Sequence, residues 1–205
     1  MNLFPMFVKL EGRRVLVVGG GEIAAGKIEA LLEAGAKVQI VAPAIAPALV
    51  SLVQDKKIEW NAKEFAPEDL DGAFLAIAAT SVPGVNESVY RSADARGILC
   101  NAVDDIQNCH FYYGSIVQRG DLQIAISTNG KSPALAQRLR KELEEQFGPE
   151  YEHWLEWLGA AREVLRAAGS SQAQNKELLH QMASSLMFER FLNESKREPS
   201  TEGVE

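Results

Sequence analysis

The stretch VLVVGGGEIAAGKIEALLEAGAKVQIVAP, residues 15–43, places an apolar strand, three consecutive glycines, a helical pattern and a second apolar strand in that order. This is the order of the first βαβ unit of a dinucleotide-binding sheet. Gly19-Gly20-Gly21-Glu22-Ile23-Ala24 fits G-x-G-x-x-A. In that pattern Gly19 serves the tight turn, Gly21 lets a pyrophosphate approach the backbone, and Ala24 lets the helix pack against the strand. The exposed N–H groups at the helix start would receive the pyrophosphate. One expected group is missing. Such units usually carry Asp or Glu about 20 residues beyond the glycines to hold the ribose hydroxyls, and here the second strand runs out in Val41, Ala42 and Pro43. Backbone near Ala42, Pro43 and Ala44 is then expected to hold the ribose, with little discrimination between NAD and NADP. The strand-to-helix setting favours a dinucleotide, and another phosphorylated ligand stays open.

Outward from this unit the same rhythm continues. Strand-like runs at 14–18, 37–41, 73–79 and 98–103, with a weaker one near 58–65, alternate with helical patterns at about 23–34, 47–54 and 85–96. That alternation predicts parallel βαβ units with right-handed crossovers, so residues 1–110 read as one doubly wound, Rossmann-like α/β domain. Ile28, Leu31 and Leu32 form the inner stripe of the first helix, and Gly35 is placed as its left-handed cap. Past Asp104 the pattern becomes antiparallel, because HFYYGSIVQ and LQIAIST, joined by RGD, read as a hairpin. Ser132 and Pro133 then open a helix with Leu135, Leu139 and Leu143 down one face. Residues 111–147 form this hairpin-plus-helix segment and 148–193 a helical region. The latter reads as a helix over 150–168, an interruption at GSSQAQN, and one further helix to about Leu192. The polar stretch 194–205 has no periodicity and is expected to be disordered. So small a second part has few residues with which to close its own core, which an intertwined homodimer would solve.

The bulk numbers exclude several classes. The 205 residues carry 46% apolar and 24% charged residues with a net charge of −7, which argues against general nucleic-acid binding. The basic cluster Lys131, Arg138, Arg140 and Lys141 still admits a small polyanion. No apolar run approaches the about 20 residues needed to span a bilayer, and the first residues are ordered wrongly for a secretion signal, so a cytoplasmic protein is expected. Cys100 and Cys109 lie nine apart without a Cys-x-x-Cys, and His110, His153 and His180 are isolated. Buried thiols and packed histidines are expected, and no metal cluster.

Ligands on such sheets sit at the carboxyl ends of strands. Asn101, Asp104 and Asp105 fall at the end of the last parallel strand, where a carboxylate suits the proton-accepting half of a dehydrogenation; a solvated turn accounts for the same residues equally well. Thr80 and Ser81 end the preceding strand and either contact cofactor ribose or cap the next helix. Ser127, Thr128 and Ser132 surround a glycine turn and a helix start, an anion pocket or a structural turn.

Taken together, FPMFVKLEGRRVLVVGGGEIAAGKIEALLEAGA, LAIAAT, CNAVDD and GDLQIAISTNGKSPALAQRLRKELE resemble the precorrin-2 dehydrogenase family, including the amino-terminal module of multifunctional siroheme synthases, over about residues 3–147. The resemblance implies NAD-dependent oxidation of precorrin-2 to sirohydrochlorin, in some members also insertion of ferrous iron at the same site, and a homodimer. It assigns the acid of the N-x-V-D motif to Asp104 and cofactor contacts to Gly21, Glu22, Ile23, Pro43 and Ala44, and it makes the missing ribose acid typical. Precorrin-2 is a tetrapyrrole polycarboxylate, so it asks for a basic or N–H-rich wall. Lys131, Arg138 and the helix start at Ser132 are candidates for it, beside Asn101, Ser127 and Thr128. One departure is visible: where the family commonly has Phe-x-x-Pro-Ala or Phe-x-x-Pro-Ser, this chain reads Phe111-Tyr112-Tyr113-Gly114-Ser115. Only 58 residues follow Phe147, so methylation is expected to belong to another protein. Two other functions stay open on sequence: a dehydrogenase of another small acid, and a cofactor-binding regulatory or assembly subunit.

Overall fold

Side chains alternate across a strand, so Val15 and Val17 of β1 (Arg14–Val18) enter one buried cluster while Leu16 and Val18 enter another, all at most 2% exposed. A strand buried on both faces belongs in the middle of a parallel sheet. In the computed structural model, which describes residues 3–169 and 171–195, β1 is central in a five-stranded parallel sheet of order β3-β2-β1-β4-β5. The other strands are β2 (Lys37–Val41), β3 (Ile58–Asn61), β4 (Leu75–Ala78) and β5 (Leu99–Ala102). Ala24, Ile28 and Leu31 of α1 (Glu22–Glu33) and Leu49 of α2 (Pro47–Gln54) join one cluster. Val89 and Ala93 of α3 (Pro83–Asp94) join the other. The doubly wound α/β reading of the sequence is thus what is observed. Gly35 takes a φ of +74° just past α1, as its left-handed cap requires.

The sheet reverses its winding between β1 and β4, the switch point at which such sheets open a crevice. The strand ends there are level. Val18 pairs with Val41 and with Ala78, and Ala78 with Ala102. Backbone bonds carry the ladder one residue further, from Gly19 N–H to Val41 (3.0 Å), Ala79 N–H to Val18 (2.8 Å) and Val103 N–H to Ala78 (2.9 Å).

The described residues divide between Tyr112 and Tyr113 into two compact units. In the second, β6 (Ser115–Arg119) and β7 (Leu122–Ile126) form an antiparallel hairpin closed at Gly120-Asp121, with α4 (Pro133–Gln146), α5 (Glu150–Ala167), α6 (Gln172–Met182) and α7 (Ser185–Ser195) following. Arg119 donates to the carbonyls of Glu144 (3.0 Å) and Phe147 (2.8 Å), meeting acceptors that the end of α4 leaves open. Tyr151 and Trp154 of α5 pack against Phe188 of α7.

Four local expectations are corrected. The strand expected over 58–65 stops at Asn61. The first hairpin strand starts at Ser115, because residues 109–111 are drawn to β5: Asn101 bridges Cys109 antiparallel, His110 N–H donates to the Cys100 carbonyl (2.8 Å), and Cys100 N–H donates to the His110 ring (3.0 Å). The stretch read as an interruption at 169–175 already contains the start of α6, capped by reciprocal bonds between Ser171 and Gln174. The last helix is two, divided at Ala183-Ser184, where the Ser184 hydroxyl donates to Gln181 and accepts from Met187 N–H. Two smaller expectations also change. His153 and His180 are exposed rather than packed, whereas His110 stacks on Tyr90. Of the thiols, Cys100 is fully buried and Cys109 only partly. At the departure from the family pattern, a Cβ on Gly114 would lie 2.8 Å from the Ile126 carbonyl, so glycine lets the chain run close to β7. Among the described residues no helix is long and apolar enough to cross a membrane. Of the stretch 194–205 expected to be disordered, residues 194 and 195 are instead the end of α7, and from 196 onward it lies outside the described residues.

Candidate cofactor and active site

The three glycines differ in what surrounds them. Gly19 has φ +115°, and a Cβ there would lie 2.4 Å from the Ala79 carbonyl. A Cβ on Gly20 would lie 2.4 Å from the Ala44 carbonyl, whose loop is tied back by Ala46 N–H to the Gly20 carbonyl at 2.7 Å. Both glycines are therefore demanded by the protein's own packing. Gly21 is not: a Cβ there meets nothing within 4 Å. It is the N-cap of α1, and its lack of a side chain leaves the first-turn N–H groups without a side-chain acceptor. Open space, uncapped donors and the positive end of a helix of 12 residues together suit a pyrophosphate. Glu22 and Ile23 stand on that first turn, Ile23 with 55% of its surface exposed.

Beside the loop lies a cleft of about 440 Å³ whose lining includes Val18, Gly19, Val41, Pro43, Thr80 and Val82. It is walled by the carboxyl ends of β1, β2 and β4, so the residues fit a bound nucleotide. A smaller cleft of about 260 Å³, lined by Arg14, Lys37, Lys56 and Lys57 among others, lies at the opposite, amino ends of β1 and β2. The backbone beyond β2 is partly engaged already. Ala42 donates its N–H to Asn61 (3.2 Å) and accepts from the Trp60 indole (2.9 Å), and Pro43 has no N–H. This narrows the polar backbone open to a ribose to the carbonyl of Pro43 and the groups of Ala44.

Thr80 lines the cleft, but its hydroxyl is held within the protein. It donates to Asn86 Oδ1 (2.8 Å) or the Val82 carbonyl (3.1 Å) and accepts from Val82 N–H (3.2 Å). Asn86, only 6% exposed, also takes the Thr80 N–H and donates to its carbonyl, each at 3.1 Å. Ser81 is exposed.

At the tip of β5 the two adjacent acids do different work. Asp105 caps the short turn Ile106–Asn108, accepting from Gln107 N–H (3.2 Å) and Asn108 Nδ2 (2.6 Å). Asp104 is exposed, and its carboxylate has no hydrogen bond or ion pair among the described residues. Its backbone has φ +61°, sparsely populated for any residue with a Cβ. Two residues beyond the paired strand ends of β1, β2, β4 and β5 come Gly20, Pro43, Thr80 and Asp104 respectively, so one sheet edge carries them all. Asn101 is 7% exposed and gives its amide to Phe111 (2.8 Å) and Cys109 (3.3 Å), so it holds chain. Among the described residues no three His, Cys, Asp or Glu side chains converge as a metal site.

In the second unit the hydroxyls proposed for an anion pocket are engaged locally. Ser127 Oγ accepts from Asn129 N–H (3.2 Å), Thr128 Oγ1 accepts from Ser132 N–H (3.2 Å), and Ser132 Oγ accepts from Leu135 N–H (3.2 Å). Arg138 pairs with Glu142 at 3.2 Å, and Lys131 is exposed. The structural-turn reading therefore accounts for all three hydroxyls.

Sequence reasoning missed Glu64, Val82, Gly84 and Ser88, which also line the cleft. Val82 and Gly84 flank the Pro at the start of α3 and Ser88 follows within the helix; the Pro marks a helix start but not its orientation towards a cleft. Glu64 lies beyond β3, outside the window in which a ribose acid is sought.

Comparison with known proteins follows this division of the chain. Residues 6–115 match the family model described as "Putative NAD(P)-binding", and residues 119–146 match "Sirohaem biosynthesis protein central". Siroheme synthase 1 of Serratia proteamaculans (strain 568) is 43% identical over 173 residues, 82% of this chain and 36% of that protein. Siroheme synthase of Photorhabdus laumondii is 49% identical over 144 residues, 70% of this chain and 31% of that protein. The chain thus spans about a third of the length of the curated relatives it matches. Among solved structures, "SirC, precorrin-2 dehydrogenase" is similar with a TM-score of 0.77 and 27% identity, covering 95% of this chain and 100% of that one.

Proposed function

Given that the chain belongs to the NAD(P)-binding family, whose model covers residues 6–115, we propose that it oxidises precorrin-2 to sirohydrochlorin in siroheme biosynthesis, with NAD as its cofactor. The nicotinamide, when bound, accepts the hydride. The protein's task is to hold the substrate C–H bond in line and to take up the accompanying proton. The observation that carries the reading is the Asp104 carboxylate, unpartnered and exposed at the same sheet edge as the glycine loop. The SirC likeness over the whole of that chain and the sirohaem segment at 119–146 support the choice of substrate.

In this reading Gly19, Gly21, Glu22, Ile23, Pro43 and Ala44 hold the cofactor, Thr80 lines its cleft with its polar groups held by Asn86 and Val82, and Asp104 is the base. Asn101 positions chain near Asp104, and Lys131 and Arg138, with the turn containing Ser127, Thr128 and Ser132, are the candidates for the substrate's carboxylates, the three hydroxyls being also engaged within that turn. The domain assignment stays as 1–110 for the cofactor and 111–147 for dimerisation, with 148–193 helical. A homodimer is part of the proposal. Among the described residues of the second unit only Val117 and Ala136 are buried hydrophobics, while Ile116, Leu135, Val164, Leu178 and Leu186 are at least 40% exposed. A cytoplasmic location belongs to the same proposal.

A second activity, insertion of ferrous iron into sirohydrochlorin, draws on the same carboxylate. The macrocycle supplies the metal's ligands, and a free base takes the pyrrole protons. Incubation with precorrin-2 and NAD, followed by NADH absorbance, tests the first reaction. Bound NAD without NADH formation would favour a regulatory or assembly subunit. Adding Fe²⁺ to sirohydrochlorin and finding no spectral change above the uncatalysed rate would remove the second.

A further inference from the structure

Asp104 is the third residue of the turn Ala102–Asp105, which Asp105 N–H closes on the Ala102 carbonyl at 3.2 Å. Its φ of +61° is one that glycine takes freely and that, among residues with a Cβ, chiefly Asn and Asp adopt. With no bond from its own side chain, the turn depends on its neighbours. Cys109 Sγ lies 3.1 Å from the Ala102 carbonyl oxygen and 3.1 Å from that of Asp105, the first and last residues of the turn. The buried Asn101 amide donates to the same sulfur at 3.3 Å and to Phe111 at 2.8 Å. Burial, the largest influence, raises the Cys109 pKa above its ordinary value, so the thiol keeps the proton it donates.

We infer that Cys109 is a positioning residue for Asp104: its S–H, shared between the Ala102 and Asp105 carbonyls, fixes the positive-φ turn and so the place at which the carboxylate is presented. The inference rests on the proposed role of Asp104 as base. It asks no redox or metal chemistry of the sulfur and no contact with the substrate. Asn101 acts through the same sulfur, orienting it from the strand side.

Cys109→Ala removes both contacts, whereas Cys109→Ser keeps a hydroxyl donor. With precorrin-2 and NAD, the alanine variant is expected to lose about tenfold in kcat, the equivalent of about 1.4 kcal/mol. KM and NAD affinity should stay within about twofold, and the serine variant should recover to within about threefold of native. In an Asp104→Ala background the alanine change should cost nothing further, because the thiol acts only through the carboxylate. Amide hydrogen exchange at Asp105 gives a readout without turnover, expected about tenfold faster in Cys109→Ala and near native in Cys109→Ser. Native kcat and exchange in Cys109→Ala, a serine variant as slow as the alanine one, or a further tenfold loss on top of Asp104→Ala would each overturn the inference. If Cys109→Ala does not fold, the serine variant's rate and exchange decide. Native turnover in Asp104→Ala removes the base itself and the inference with it. A silent Cys109→Ala beside an impaired Asp104→Ala removes the inference alone.

Discussion

Two neighbouring glycines should separate folding from cofactor binding when each is changed to alanine. A methyl group on Gly20 is placed 2.4 Å from the Ala44 carbonyl and 2.9 Å from Ile45 Cγ2, against a backbone held by the 2.7 Å bond from Ala46. Something in the backbone must move, and overpacking of this kind costs about 1–3 kcal/mol. For a protein of this size that lowers Tm by about 2–12 °C. A methyl group on Gly21 meets nothing within 4 Å, and the residue's φ of −82° is open to alanine. Alanine is a poorer N-cap than glycine by about 0.5–1 kcal/mol, and restricting the unfolded chain returns about 0.4–1 kcal/mol. The two nearly cancel, so Tm should move by less than about 3 °C. The same methyl group, however, stands where the proposed pyrophosphate would approach. Two charge-assisted N–H bonds at about 1.5 kcal/mol or more each would be weakened, which raises the NAD Kd about a hundredfold or more. Scanning calorimetry and NAD titration of the pair measure both effects. Unaltered NAD affinity in a folded Gly21→Ala protein would refute the placement of the pyrophosphate, and equal destabilisation of the two variants would refute the packing argument.

Asp104→Asn keeps a residue type tolerant of positive φ while removing the base, so Tm should hold within about 2 °C while kcat falls at least a hundredfold; a rate near native would dismiss Asp104. Asn86→Ala leaves the Thr80 N–H without its acceptor and should cost about 2–3 kcal/mol in urea unfolding, a loss below about 0.5 kcal/mol counting against the clamp. Glu64→Arg puts a cation into the cleft and should tighten NADP binding about tenfold relative to NAD. Calorimetric titration with both nucleotides decides this, an unchanged ratio going against a place for Glu64 beside the ribose. Burial pushes the Cys100 thiol up to about 12 from an ordinary 9.0, so the unfolded chain loses that proton first. Its contribution should be constant below pH 9 and decline as pH rises from 9 towards 12, by up to about 1.4 kcal/mol per pH unit. Cys100→Ala should flatten that part of the profile, and identical slopes in the two proteins would contradict it.

The sheet was legible because its signals are local and repeated. Val15 to Val18 are apolar at every position, as a strand buried on both faces must be, and Gly35 marks the end of α1 by a conformation few residues adopt. The missed boundaries arise where long-range bonds override local pattern. His110 and Phe111 look like the start of a hairpin strand until Cys100 and Asn101 claim their backbone groups. The start of α6 was there to be read, since Ser171-x-x-Gln174 is a capping box, and the Gly and Ser before it obscured the helix. At the site, the glycine pattern located the cleft, but it did not distinguish Gly20, fixed by the Ala44 loop, from Gly21, which faces open space. Nor could it tell Asp104 from Asp105, because the difference lies in which carboxylate the turn at 106–108 recruits.

The left-handed turn at Asp104 sets two selection pressures against each other. At a φ of +61° a glycine is favoured over any residue with a Cβ, and asparagine is tolerated better than most. A redesign guided by backbone compatibility alone would therefore write Gly or Asn at position 104 and erase the carboxylate proposed as the base. Gene copies released from the need for turnover should drift the same way. Gly19 and Gly20, which the fold itself requires, would persist, and under the proposed function residue 104 would separate chains that keep the oxidation from descendants that only carry a nucleotide.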